Sequence, residues 1–203
     1  MIIGVGVGTL YQQQRKRVVS DSFTRANSTT SAGTTDTGQA WSPLVGTWGI
    51  ASNRVYCVSD ANGDILSVDT GITNSTISAI FNCQTSGANQ RFFNLMFHGL
   101  DATNFLFARI SGSSLQLYKN AAGVLTQLAA VAITPPADGV DFVLRATCID
   151  NLVSLYVDGA LLLNHTLAGG DTAYSAYTKA GLRLSKAGTP TMPCRADNFT
   201  VVV

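Results

Sequence analysis

The 203-residue sequence contains no glutamate; its twelve acidic residues are all aspartates. Helix surfaces lean on Glu and Lys, whereas Ser, Thr, Val and aromatic residues suit pleated strands, so the chain reads as all-β. Charge is also scarce. Charged residues make up 12% and the formal net charge is +1, which leaves no electrostatic footprint for nucleic acid. No apolar run approaches the ~20 residues that cross a bilayer, so no membrane insertion is expected. Only two histidines occur, His98 and His165. Each falls at a strand end beside a turn, where it reads as a surface or edge imidazole. No Gly-x-Ser-x-Gly elbow surrounds a serine, so nothing points to a Ser-His-Asp triad.

The four cysteines, Cys57, Cys83, Cys148 and Cys194, include no CxxC pair, which disfavours zinc ribbons and thioredoxin-like redox sites. Cys57, Cys83 and Cys148 sit in alternating apolar rows. They are expected to be reduced core thiols acting as small hydrophobes. Disulfides are the alternative, and they would imply an oxidising compartment.

What is present is period-two alternation broken by Gly and Asn turns. Thr76 to Cys83 puts Ile77, Ala79, Phe81 and Cys83 on one face. Hairpins are predicted for Arg54–Ser59 with Asp64–Val68, for Phe92–His98 with Asn104–Ile110, and for Leu115–Tyr118 with Val124–Val131. Phe142–Asp150 with Leu152–Val157 makes a fourth. Ala160–Leu167 follows the turn Asp158-Gly159, and Ala180–Leu184 leads to a terminal strand near Asp197–Val203. Many short strands at this spacing argue for a sandwich. A chain of this length buries roughly two-thirds of its unfolded surface, so stability requires neither disulfide nor metal.

Residues 1–19 stand apart as an N-terminal arm ahead of a domain at 20–203. Ile2, Ile3, Val5, Val7 and Leu10 alternate with glycines, and Gln12-Gln-Gln-Arg-Lys-Arg17 follows. The order is the reverse of a secretory signal. The segment reads either as a tail or as an arm that adds a strand to a neighbouring subunit.

Candidate chemistry is thin. No two aspartates are spaced on a strand as a glycosidase acid and nucleophile would be. Asp60-Ala-Asn-Gly-Asp64 looks like a calcium loop only superficially, because an EF-hand needs Gly at its sixth position and Glu at its twelfth. It reads as a turn, with an adventitious calcium site near Asp60, Asp64 or Asp158 left open; no cofactor and no dedicated metal is expected. Sugar binding needs an aromatic platform with polar neighbours. Alternation puts Tyr56, Asn94, His98, Arg109, Gln116 and Tyr118 on rows opposite or beside core residues. Tyr56, Arg109 and Tyr118 are the candidate ligand contacts, while Trp41 and Trp48 are expected as core anchors.

Several short motifs carry a resemblance. Asp21-Ser-Phe-Thr-Arg25, Gly46-Thr-Trp48-Gly-Ile50 and Leu155-Tyr-Val-Asp-Gly159 resemble those of concanavalin A-like, laminin-G-like domains, as do Gly181-Leu-Arg-Leu184 and Asp197-Asn-Phe199. The run Ser22-Phe-Thr-Arg-Ala-Asn27 onward is most similar to segments of minor tail and other virion proteins of phages of actinobacteria. The resemblance covers roughly residues 20–203. It implies a jelly-roll β-sandwich whose last strand lies beside its first. It also implies a non-enzymatic virion component, assembled in the bacterial cytoplasm: a minor tail protein or a capsid decoration protein. In that setting the arm would bind other virion proteins, the chain would form a homo-oligomer, and a glycan at the host surface would be a further ligand. The alternative is a carbohydrate-binding module of a secreted bacterial protein. Glycosidases on this fold use a Glu-x-Asp-x-x-Glu motif, which a chain without Glu cannot form.

Overall fold

The computed structural model describes residues 16–203, so the arm positions Ile2, Ile3, Val5, Val7 and Leu10 lie outside the described residues. The first strands are β1 (Arg17–Asp21), β2 (Ser42–Val45), β3 (Trp48–Ala51), β4 (Arg54–Cys57) and β5 (Ile65–Asp69). The long middle strands are β6 (Ser75–Asn82), β7 (Gln90–Gly99), β8 (Phe105–Ser111), β9 (Ser114–Ala121) and β10 (Val124–Ala132). The last are β11 (Phe142–Ile149), β12 (Leu152–Val157), β13 (Ala160–Thr166), β14 (Lys179–Ala187) and β15 (Arg195–Val202). Helix is limited to one 3-10 segment, Gly169–Ala176, among the described residues.

The strands form two antiparallel sheets packed face to face. One runs β13-β12-β11-β6-β15-β4-β3, with β1 also paired to β15; the other runs β10-β9-β8-β7-β14-β5-β2. This is the sandwich that the alternation argued for and the jelly roll that the resemblance implied. Along β6 the residues Ile77, Ala79 and Phe81 are buried, as is Cys83 just past its end. Trp48 and Phe81 from one sheet meet Phe93 from the other, with ring centroids 5.4 and 6.1 Å apart. Trp41 and Trp48 are both core residues, as expected.

The chain ends meet as anticipated, with Asp21 opposite Phe199. The first strand begins at Arg17, however, and Val19 is fully buried. Residues 17–19 therefore belong to the sandwich rather than to the arm. At the end of β1, the Asp21 carboxylate accepts hydrogen bonds from the Phe23 N–H (2.7 Å), the Trp41 indole N–H (2.5 Å) and Arg25. Trp41 in turn packs between Phe23 and Phe199.

Three expectations are corrected. Arg54–Ser59 and Asp64–Val68 are not a hairpin, because β4 and β5 lie in different sheets. The Asn62-Gly63 turn is real, with Gly63 at φ +100, but the segment docks on β14 through Gly63 N–H to Leu184 C=O (2.9 Å). Cys83 is not a free thiol; it is bonded to Cys194. The register of β15 on β6, Arg195 opposite Asn82, sets Cys194 directly across from Cys83. Cys57 and Cys148 are free and buried, as expected. His98 is not at the surface. It is 4% exposed near the Tyr177 carbonyl, and burial lowers its pKa. His165 does lie on an edge strand, β13.

Candidate functional site

The outer face of the seven-stranded sheet carries a connected polar network. The pairing of β14 with β7 sets Arg183 opposite Asn94. The pairing of β8 with β9 sets Arg109 opposite Gln116. Leu95 faces Ala108 across β7 and β8, which places Asn94 beside Arg109. One row therefore reads Arg183–Asn94–Arg109–Gln116 across four strands. The neighbouring row on the same face reads Gly181–Met96–Phe107–Tyr118–Gln127. Residues between the rows, such as Leu182, Leu95, Ala108 and Leu117, point into the core because side chains alternate along each strand.

The two rows are tied together. Arg109 Nε donates to Gln116 Oε1 at 2.7 Å and another guanidinium nitrogen donates to the Tyr118 hydroxyl at 3.0 Å. That hydroxyl donates to Gln127 Oε1 at 3.1 Å. The planar groups stack as well. The Arg109 guanidinium lies 4.3 Å from the Tyr118 ring centre, and Tyr118 stacks on Phe107 at 5.3 Å and 14°. The Arg183 guanidinium lies 5.3 Å from Phe107 on the other side. Cation–π contacts of this kind hold a guanidinium flat and fix its donors in direction. Below them Ile65, Met96, Phe105 and Phe107 form a second buried apolar cluster. Gly181 is required in this row for close approach, since a Cβ there would stand 2.0 Å from the Leu66 carbonyl oxygen.

Arg109 and Tyr118, two of the three residues singled out from the sequence, are thus in direct contact. Tyr56 is not with them. It sits on β4 of the other sheet, where it lines a small recess of about 110 Å³ with Asp60, Arg91 and Cys194. Arg183, Phe107, Gln127 and Ser185, whose hydroxyl accepts from both Arg183 and Asn94, were missed. Arg183 was legible by phase, because Leu182 and Leu184 on either side of it face the core. The opposite face of the sandwich holds a separate shallow depression of about 380 Å³, lined by Ser78, Val143, Arg145, Asp158 and Gly159.

The aspartates left open for calcium have protein partners. Asp60 pairs with Arg91 (2.7 Å) and Lys186 (2.8 Å). Asp64 accepts from Ser59, Cys57 and the Ala61 N–H, and Asp158 from the Val143 N–H. Among the described residues no group of three or more His, Cys, Asp or Glu could hold a metal ion.

No protein-family model matches the sequence, and no curated protein is similar to it. The fold, by contrast, has many solved counterparts. The carbohydrate-binding module CBM66 from Bacillus subtilis superposes with a TM-score of 0.61 at 15% identity, over 80% of this chain and 95% of that one. Domain 4 of AbnA, a GH43 extracellular arabinanase from Geobacillus stearothermophilus solved with arabinotriose, gives 0.58 at 10% identity, over 93% and 92%. A carbohydrate esterase from the Shiga toxin-encoding bacteriophage phi24B gives 0.55 at 14% identity, over 93% and 99%. At these identities the likeness is one of fold: a jelly-roll β-sandwich.

Proposed function

We propose that this domain binds carbohydrate without acting on it, and that the outer face of the seven-stranded sheet is the binding surface. The observation that carries this reading is the Arg109–Gln116–Tyr118–Gln127 network stacked on Phe107. It offers directed donors and acceptors around the half-buried Tyr118, held against the fully buried Phe107, and such polar groups recognise sugar hydroxyls. The two rows contain no aspartate, so the face lacks the carboxylate pair that glycoside hydrolysis requires. The fold neighbours that are carbohydrate-binding modules support the same reading. The Cys83–Cys194 disulfide suits a protein that works in an oxidising, extracellular setting.

A panel of neutral and acidic oligosaccharides, screened by calorimetry, tests the reading. Tyr118→Ala is expected to weaken whichever sugar binds by about tenfold, ~1.4 kcal/mol, through loss of the ring and its hydroxyl. Unchanged affinity in that variant would move the site elsewhere.

Assembly into a phage particle, as a minor tail or decoration protein, is a second proposal, and it rests on the resemblance of the run from Ser22 to Asn27 onward and on the sequence of residues 1–10. Apolar residues alternating with glycine gain little on their own domain and more against a partner's strand edge. Deleting residues 1–15 leaves β1 intact. The truncated protein is expected to keep its Tm and lose self-association or incorporation into particles. Normal assembly would discard the arm as a docking element.

A further inference from the structure

Arg183 and Arg109 carry positive charge that no carboxylate in the structure balances. The ion pairs among the described residues use Arg25, Arg54, Arg91, Lys119 and Lys186, and neither Arg109 nor Arg183 appears in them. Residues 1–15 contain no Asp or Glu to supply a partner. Arg109 is half-buried and commits two of its five N–H donors, one to Gln116 and one to Tyr118. Arg183 is only 8% exposed, and the hydrogen bond that fixes its guanidinium goes to the neutral Ser185 hydroxyl at 2.7 Å. Taking a cation out of water without a counter-ion is costly. Burial, and then the nearby charge of Arg109, pull the Arg183 pKa down to about 10. An anion arriving at this row would relieve both effects.

Asn94 supplies a second and independent observation. It lies between the two arginines in the row and is fully buried. Its amide N–H₂ donates to Ser185 at 2.8 Å, while its Oδ1 has no partner. Buried polar atoms are nearly always paired, so an orphaned acceptor between two unbalanced guanidiniums marks a place for a donor. The row thus presents cationic donors and a neutral acceptor side by side. We propose that the sugar bound on this face is acidic: its carboxylate or sulfate is held by Arg183 and Arg109, beside Asn94. This rests on the carbohydrate-binding reading above and specifies its ligand class. The net charge of the whole chain is only +1, so attraction for an acidic sugar would come from this row rather than from a generally basic surface.

The test compares oligomers of galacturonate, glucuronate and mannuronate with their methyl esters, which keep the ring and lose the charge. Sulfated dextran fragments and the neutral arabinotriose complete the panel. An acidic member is expected to bind at least tenfold tighter than its neutral counterpart, with affinity falling as salt rises. Arg109→Gln and Arg183→Met should each erase that preference. Arg145→Gln, the same charge change on the opposite sheet, should leave it intact. Arg183→Met removes an uncompensated buried charge, so its Tm should equal or exceed that of the wild type. If Arg183→Met fails to fold, the half-buried Arg109→Gln still decides the question. Preference for sulfated dextran over every uronate would assign the oxyanion as sulfate and uphold the acidic class. Equal binding of acid and ester, or a preference that survives both arginine variants, would overturn the inference and leave carbohydrate binding standing. Failure of every sugar, neutral ones included, would overturn the carbohydrate reading itself.

Discussion

Cys83→Ala is expected to lower the Tm by about 5–15 °C, with the same loss for Cys194→Ala. The bond joins positions 111 residues apart and ties the last strand to β6 in the middle of its sheet. Cross-linking so long a loop restricts the unfolded chain, and removing such a bond typically costs about 2–5 kcal/mol. In a domain of about 200 residues each kcal/mol moves the Tm by about 2–4 °C. The two single variants and the double variant should all lie close together, because one interaction is lost in each. Both half-cystines are buried, at 1% and 4% exposure, so reductant should act slowly on the folded protein and quickly on the unfolded one. Alkylation under denaturing, non-reducing conditions should label two thiols, Cys57 and Cys148. Burial raises the pKa of both; for Cys57, burial and the neighbouring Asp64 carboxylate push it up to about 12. Neither should react appreciably in the folded state at neutral pH. Three or more labels, or a double variant as stable as the wild type, would remove the bond from the account.

The sequence shows the phase of each strand more readily than its partner. Period-two alternation located β6 and the face it buries, because burial on one side leaves a local record every second residue. That the termini meet was legible through the resemblance carried by Asp21–Arg25 and Asp197–Phe199, which implies a last strand beside the first. Partnering across the sandwich leaves no such record. Asn62-Gly63 has the same turn chemistry whether the chain returns to its own sheet or crosses to the other, and here it crosses. Cys83 and Cys194 face each other only because β15 pairs with β6 in one register. The binding face shows the same division. Tyr56, Arg109 and Tyr118 all have the right phase to escape the core, yet only the sheet assignment tells that Tyr56 belongs to the other half. Arg183 joins Arg109 through the order β14-β7-β8, a property of the topology that no window of sequence contains.

Asp21→Ala is expected to cost about 3–5 kcal/mol, lowering the Tm by about 6–15 °C. Its carboxylate is fully buried and three donors converge on it: the Phe23 N–H, the Trp41 indole N–H and Arg25. Removing it does not simply delete three hydrogen bonds. It leaves a guanidinium, an indole N–H and a backbone N–H facing one another without an acceptor, and unsatisfied buried groups cost more than the bonds themselves contributed. The Arg25 guanidinium keeps its bonds to the Ala32 and Thr34 carbonyls, so the loop 25–34 stays tied together while β1 loses its anchor to it. Asp21→Asn keeps the shape and one acceptor oxygen but turns an amide N–H₂ toward a donor, so it should recover only part of the loss. Trp41→Phe keeps the ring between Phe23 and Phe199 and removes the indole donor, which isolates the Asp21–Trp41 bond. In the cycle built from Asp21→Asn and Trp41→Phe, a coupling of about 0.5–3 kcal/mol is expected, because each change removes a partner of the other. If urea unfolding shows the two changes to be additive, the carboxylate is held by Arg25 and Phe23 alone, and the indole contributes through its ring packing rather than its hydrogen bond.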